Sequence, residues 1–259
     1  MNVDETLETA AADCFWVPEH VEVIERDAIK YTRSSRPGLD YNRVLRVRPD
    51  LADPAELVEE ERQAHRGGAS RWMLNAMSDG PAIRQALESA GYEAGSPYLA
   101  YSVATRGYLR RGPEDVEVRQ AQTIDDLRTL YEINSDAFDR ELDFSDERLA
   151  RELADCTGPD RRVGRFIAFR NGEPAGSGGM TFFEDLSFSL IWAGGVRKAH
   201  RGHGVYTALL AARAAAAVGH GIERMGLYAK EDTSAPIVAA HGFDRHGHMV
   251  YFDSPEVQL

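Results

Sequence analysis

The residues best suited to chemistry lie in one stretch, GGVRKAHRGHGVYTALL at 194–210. Strand-like apolar residues at 189–196 run into Arg201-Gly202-His203-Gly204, and an alanine- and leucine-rich helical pattern starts directly after them. A strand, a glycine-punctuated turn and a helix N-terminus together make an anion site. The first amides of a helix have no intrahelical partner, and the helix dipole adds partial positive charge there. Glycines reach positive φ and let a phosphate approach the main chain. The competing reading is an ordinary βα turn with two convenient glycines, since short glycine patterns recur by chance.

Composition bounds the partners of such a site. The chain has 259 residues and a net charge of −12, enough for one or two domains. That acidity argues against free nucleic acid or an anionic membrane as a partner. It is compatible with an amine-bearing substrate, although solubility alone explains it. Cys14 and Cys156 are far apart and form no metal or redox spacing, so they read as reduced thiols of a cytoplasmic protein. No metal site is expected. The acidic N-terminus lacks the apolar core of a signal peptide, and no run reaches the ~18 apolar residues of a membrane span.

The elements that must position the glycine loop are those of an alternating α/β (α+β) chain. A short helix is expected at 4–14, strands at 21–29, 29–33 and 41–47, and a turn at Arg36-Pro37-Gly38. Asp53-Pro54 starts a helix that stops near Gly67-Gly68. A strand at 70–74, a helix at 81–90 closed by Gly91 and a strand at 98–103 follow. Residues 110–114, with a glycine, a proline and charges, form the best linker. Beyond it, Thr123 and Asp126 make a capping box, and Ser145 starts a further helix. Asn171-Gly172 joins two strands in a hairpin; the strand at 187–196, the glycine loop and its helix come next. A strand at 223–228, a helix at 234–240 and a final strand at 248–252 close the chain.

Two passages run in parallel. The one beginning at Ala69 and the one beginning at Ile222 each read strand, proline-bearing helix, Gly-aromatic, strand. Upstream of each stand Val-Arg, at Val47-Arg48 and Val196-Arg197, and then a helix. A period near 150 residues points to duplicated domains, with common αβ punctuation as the alternative. In the first copy DLADPAEL replaces HRGHGVYTAL, so that copy lacks the loop and should hold no pyrophosphate.

These residues resemble the GNAT superfamily of acyl-CoA-dependent N-acetyltransferases. Arg201-Gly202-His203-Gly204-Val205-Tyr206 is similar to its acyl-CoA signature, Arg/Gln-x-x-Gly-x-Gly/Ala. Thr233-Ser234-Ala235-Pro236 leading to His241-Gly242-Phe243 is similar to its later helix and turn. The resemblance covers about 116–253, and the first hundred residues resemble it only as a degenerate second copy. It implies two GNAT-like mixed-sheet domains, a degenerate one at 1–109 and an acyl-CoA-binding one at 115–259. It implies acetyl-CoA as co-substrate, held by Gly194, Gly195 and Val196 along the pantetheine arm and by Gly202, His203, Gly204, Val205, Tyr206 and Thr207 at the pyrophosphate. Arg201 would reach a phosphate or staple the loop.

Departures from the family pattern are specific. Tyr206 stands where the signature has glycine or alanine. Val238 falls where a general-acid tyrosine is frequent, Glu231 near a frequent asparagine, and Leu190 near the glutamate used as base in some members. Candidate acids are therefore Tyr206 and Tyr228, and candidate bases are Glu184 and Asp185. The function expected is acetyl transfer to an amine of a small molecule or protein, with a homodimer left open. An acyl-CoA-binding sensor or interaction protein with weak catalysis is the alternative, and a nucleotide-binding protein of another fold is a third reading. Acceptor recognition would fall to variable loops at 30–40 and 136–146 and to the first domain.

Overall fold

Local chemistry sets most element boundaries. The Asn2 and Thr123 side chains cap helices through complete capping boxes with Glu5 and Asp126. Ser145 caps a third helix, and Asp53 a fourth, just ahead of Pro54. Asn171 and Gly172, at φ of 52° and 83°, form the tight hairpin turn. The computed structural model describes residues 1–14, 17–36, 38–66, 68–108, 110–139, 141–142 and 145–254. Pro37 of the expected turn, Gly67 of the expected helix stop, and Arg140, Asp143 and Phe144 of the expected acceptor loop lie outside the described residues.

In chain order the elements are α1 (Val3–Ala11), β1 (Val21–Glu25), β2 (Ile29–Ser34), β3 (Arg43–Val47), α2 (Pro54–Ala64), β4 (Arg71–Asn75), α3 (Pro81–Ser89), β5 (Glu93–Ala94) and β6 (Tyr98–Ala104). After them come β7 (Val116–Gln120), α4 (Ile124–Phe138), α5 (Asp146–Thr157), β8 (Val163–Arg170), β9 (Glu173–Phe183), β10 (Phe188–Val196), α6 (Val205–Gly219), β11 (Arg224–Lys230), α7 (Ala235–Ala240) and β12 (Asp244–Asp253). The two-residue β5 was not expected from sequence, and β12 is longer than expected.

The chain divides into two compact units, one of residues 1–101, 228–239 and 245 onward, the other of 102–227 and 240–244. The sequence reading kept 115–259 together, whereas each unit is built from separate runs. The reason is strand pairing. β12 runs antiparallel to β4, with Met249 opposite Asn75 and Phe252 opposite Trp72. In the other unit, Ser102 and Thr105, at the end of β6, bond to Arg224, Ile222 and Glu223 around the start of β11. β12, from the later passage, thus belongs to the first unit, and β6 is divided, with 98–101 in the first unit and 102–104 in the second.

The first unit packs α2 and α3 on one face of its sheet, through Leu57, Val58, Ile83 and Leu87 against Trp72, Leu74 and Phe252. Its sheet is mixed, because β3 and β4 run parallel while their neighbours run antiparallel. Buried Glu61, His65, Tyr92 and Ser70 satisfy one another in a chain of hydrogen bonds. The second unit packs α4 and α5 through Leu127, Leu130, Ile133 and Leu149 on Ile167 of β8. Its other face carries α6, whose Val205 and Leu209 close on Gly176 of β9. Here β10 and β11 are the parallel pair, within an otherwise antiparallel β7–β8–β9–β10 order.

Candidate functional site

The parallel pairing of β10 and β11 is short. It matches Phe188, Ser189 and Leu190 with Arg224, Met225 and Gly226 and then stops. The remaining residues of β10, 191–196, have no partner in β11. On its other side β10 pairs with β9 as far as Val196, but the register shifts between Trp192 and Gly195. Ala193 sits at a φ of 47° inside this bulge. A bulge re-aims backbone groups and is a frequent feature beside active sites. The result is a strand end with a free backbone edge, next to the loop into α6.

That loop leaves its amides open. Gly204 is the N-cap of α6 at a φ of 73°, and no side chain caps the helix. The first bond to close is Ala208 N–H to the Gly204 carbonyl at 3.0 Å. Among the described residues, no amide of 202–207 donates to a loop or side-chain acceptor. Residues 110–114 run beside the first turn of α6, and a Cβ on Gly204 would meet Pro113 at 2.7 Å. Gly204 is therefore required twice, for its φ and for this close approach.

Other residues brace the loop. Arg201 donates to the carbonyls of Val196 (3.3 Å) and Ala137 (3.0 Å), so its side chain is a staple. Lys198 N–H donates to Asp136, and the Lys198 ammonium pairs with Asp139. The His203 ring bonds the Arg201 carbonyl through Nδ1. Thr207 meets Nε2 of His241 at 2.8 Å, which ties the Gly-Phe turn at 242–243 to the first turn of α6.

Tyr206 turns inward. Its ring lies 2.9 Å from where a Cβ on Gly194 would stand, and its phenol oxygen is close by. The absence of that Cβ is what lets the ring reach the bulge. On the opposite side of the strand Gly195 faces Ala137 and Phe138. Behind Tyr206 stands Arg213, its guanidinium 5.8 Å from the ring. Arg213 was not singled out from sequence, although it is the one charged residue in VYTALLAARAAAAVG and lies seven residues from Tyr206, on the same helix face. Tyr108, also not singled out, lies within the field of Arg213 and Tyr206, and its hydroxyl is pushed up to about 12 chiefly by burial.

The remaining sequence candidates are elsewhere. Glu184 sits in the turn before β10 and pairs with His220 at 2.9 Å. The run from Phe188 to Ala193 puts roughly 17 Å of strand between that turn and the bulge, so neither Glu184 nor Asp185 is brought to it. Tyr228 belongs to the first unit and packs with Tyr98 and Tyr251 against Leu45, Met73 and Met249. Burial pushes its phenol well above the usual range. Trp192 is half-buried, with Arg165 stacked 4.7 Å from its ring, and Trp72 is core. Both cysteines are free, and burial pushes Cys156 up to about 12. Among the described residues no cluster of metal-binding side chains occurs, and no helix is long and apolar enough to cross a membrane.

A short parallel pair, a bulged strand and an open helix N-terminus thus meet at one end of β10. Residues 127–243 match the acetyltransferase (GNAT) family. Over this region the chain is similar to that family. Its fold is similar to that of a GCN5-related N-acetyltransferase from Kribbella flavida, with a TM-score of 0.73 at 17% identity over 100% of this chain and 98% of that one. It is also similar to a tandem GNAT protein from the clavulanic acid biosynthesis pathway, with a TM-score of 0.64 at 16% identity over 92% and 84%. A GCN5-related N-acetyltransferase from Sphaerobacter thermophilus gives 0.65 at 18% identity over 92% and 78%. No curated protein matches the chain.

Proposed function

We propose that the second unit binds an acyl-coenzyme A, acetyl-CoA being the simplest, and transfers the acyl group to an amine of a small molecule or protein. The observation that carries this reading is the open set of amides at 202–207 beside the free edge of β10. The amides of Gly202, His203, Gly204, Val205, Tyr206 and Thr207 would hold the diphosphate. Gly194, Gly195 and Val196 would pair with the pantetheine arm, and an amide of the bulge would polarise the thioester oxygen.

The amine nitrogen attacks the thioester carbonyl, the C–S bond breaks and an amide forms. The proton the amine loses is balanced by the one the thiolate gains. Tyr206 is the phenol nearest the bulge and is the donor we assign to the thiolate. An alkyl amine near pKa 10.4 carries a handicap of about 4–5 kcal/mol at pH 7. Holding the two reactants in attack geometry contributes roughly 7–11 kcal/mol, so a water relay can serve in place of a dedicated base. A dedicated acid or base adds about 10²–10⁴-fold.

Calorimetry with acetyl-CoA, coenzyme A and ATP tests the binding. Saturable heat with the first two and none with ATP supports it; heat with ATP alone ends it. Release of coenzyme A across a panel of amines tests transfer, with Tyr206→Phe expected to lower kcat by about 10²-fold at unchanged coenzyme affinity. Binding with no turnover on any amine would favour the sensor reading, for which Val238 in place of a tyrosine is the specific argument.

A further inference from the structure

Arg213 is the only charged residue of α6, and it is 1% exposed. Its Nε donates to the Leu209 carbonyl at 3.1 Å, and its Nη2 is buried with no hydrogen-bond partner within ordinary geometry among the described residues. The other buried arginine of this unit is treated differently. Arg165, 2% exposed, faces the carboxylate of Glu152, 3% exposed, at 2.8 Å. Arg213 has phenols rather than carboxylates around it: burial works most strongly against its charge, and the approach of the Tyr206 hydroxyl, with Tyr108 beyond it, offsets this only in part. A buried guanidinium without an anion is costly and rare.

Its position says where an anion would have to be. The guanidinium fits over Gly178, where a Cβ would come within 3.1 Å of Nη1. Nη2 reaches to 3.6 Å from the Cβ position of Gly194, beside the bulge of β10. The Tyr108 hydroxyl is a second buried group with no hydrogen-bond partner among the described residues. The two are close enough for each to feel the other's field.

The diphosphate of a coenzyme is not that acceptor. Arg213 lies seven residues beyond Tyr206, about 10 Å further along the helix axis from the open amides. A coenzyme held at 202–207 with its arm on β10 brings its acyl end to this place. An acetyl thioester carries no charge there. Resting on the acyl-CoA reading above, we propose that the acyl group this protein transfers ends in a carboxylate, which Arg213 Nη2 and the Tyr108 hydroxyl receive. The donor is then the coenzyme A half-thioester of a short dicarboxylic acid. The amine displaces the thiol as before, and the amide product keeps the free carboxylate.

Succinyl-CoA and butyryl-CoA share a four-carbon chain and differ in the terminal charge, so they isolate the claim. By calorimetry and by coenzyme A release with the wild-type protein, succinyl-CoA should bind more tightly than butyryl-CoA by about tenfold or more, the scale of one charge-assisted hydrogen bond. Arg213→Met should erase that preference, and Tyr108→Phe should reduce it; circular dichroism and Tm establish that each variant folds. Should Arg213→Met fail to fold, the wild-type comparison and Tyr108→Phe still decide. Equal or tighter binding of butyryl-CoA overturns the proposal and leaves the acyl-CoA reading standing if acetyl-CoA binds. A kcat loss in Arg213→Met with no change in thioester preference also overturns it, assigning Arg213 to the support of Tyr206. Absence of binding by every thioester, acetyl-CoA included, overturns both.

Discussion

Two crossover helices of this chain begin in opposite ways. Both α2 and α6 leave a strand that ends in Val-Arg, and both link a parallel pair, β3 with β4 and β10 with β11. At α2 the carboxylate of Asp53 accepts from the amides of Ala55 and Glu56, at 2.8 and 3.1 Å, and Pro54 contributes no N–H at all. At α6 a glycine in the left-handed region replaces the carboxylate, and the first-turn amides are left open. The first helix carries its own anion; the second is built to receive one. A single capping residue thus separates a closed helix start from an open one in two otherwise parallel passages.

The comparison can be broken most strongly at Gly204. Gly204→Ala puts a Cβ 2.7 Å from Pro113 at a φ of 73°, and should weaken acetyl-CoA by at least about tenfold in calorimetry. A variant with wild-type affinity would detach binding from the glycine cap. Next in size is Asp53→Ala, which should cost about 1 kcal/mol in urea unfolding and create no coenzyme binding in the first unit. Gain of a second binding stoichiometry would show that the cap alone was the obstacle.

A comparable effect is expected where a carboxylate caps α4. Asp126 is held well below the usual carboxylate range, first by its hydrogen bond with Arg119 and then by the amides of Gln122 and Thr123. A folded-state pKa below the unfolded one gives stability that is complete above the unfolded value near 4 and drains as pH falls toward the folded value. Wild type should therefore lose stability below about pH 4 more steeply than Asp126→Asn, read as Tm against pH. Parallel curves would remove the carboxylate from the account.

Smaller still is Arg201→Ala. Losing two exposed hydrogen bonds to carbonyls should weaken coenzyme binding by about fivefold or less, with the salt dependence of binding unchanged. A shallower salt dependence would mean a lost phosphate contact. Glu184→Gln, far down β10 from the bulge, should leave kcat within about twofold.

The glycine loop and its neighbours were legible in the sequence because their information is local. The cap residues, the Asn171-Gly172 turn and the glycines near α6 each act within a few residues. Most elements could be placed for the same reason, the two-residue β5 excepted. Arg213 and Tyr108 could not be assigned, since an arginine in an alanine-rich helix looks solvated until Gly178 and Gly194 are known to lie beneath it. The candidates at Glu184 and Tyr228 came from their nearness to strand ends in sequence, and pairing register carries those ends elsewhere. Where β6 and β12 would pair was invisible too, because both have the alternation of ordinary closing strands and nothing local names their partners.

The place of β12 in the first unit gives the chain an order of completion. β4, already beside β3, finds its second neighbour only in Met249 to Asp253, far later in the chain. The ribosome must make all of the second unit before the sheet of the first can be closed. Until then β4 presents a bare edge to the cell. The half of the molecule synthesised first is the half finished last, and cutting the gene after residue 109 would yield a fragment missing an interior strand.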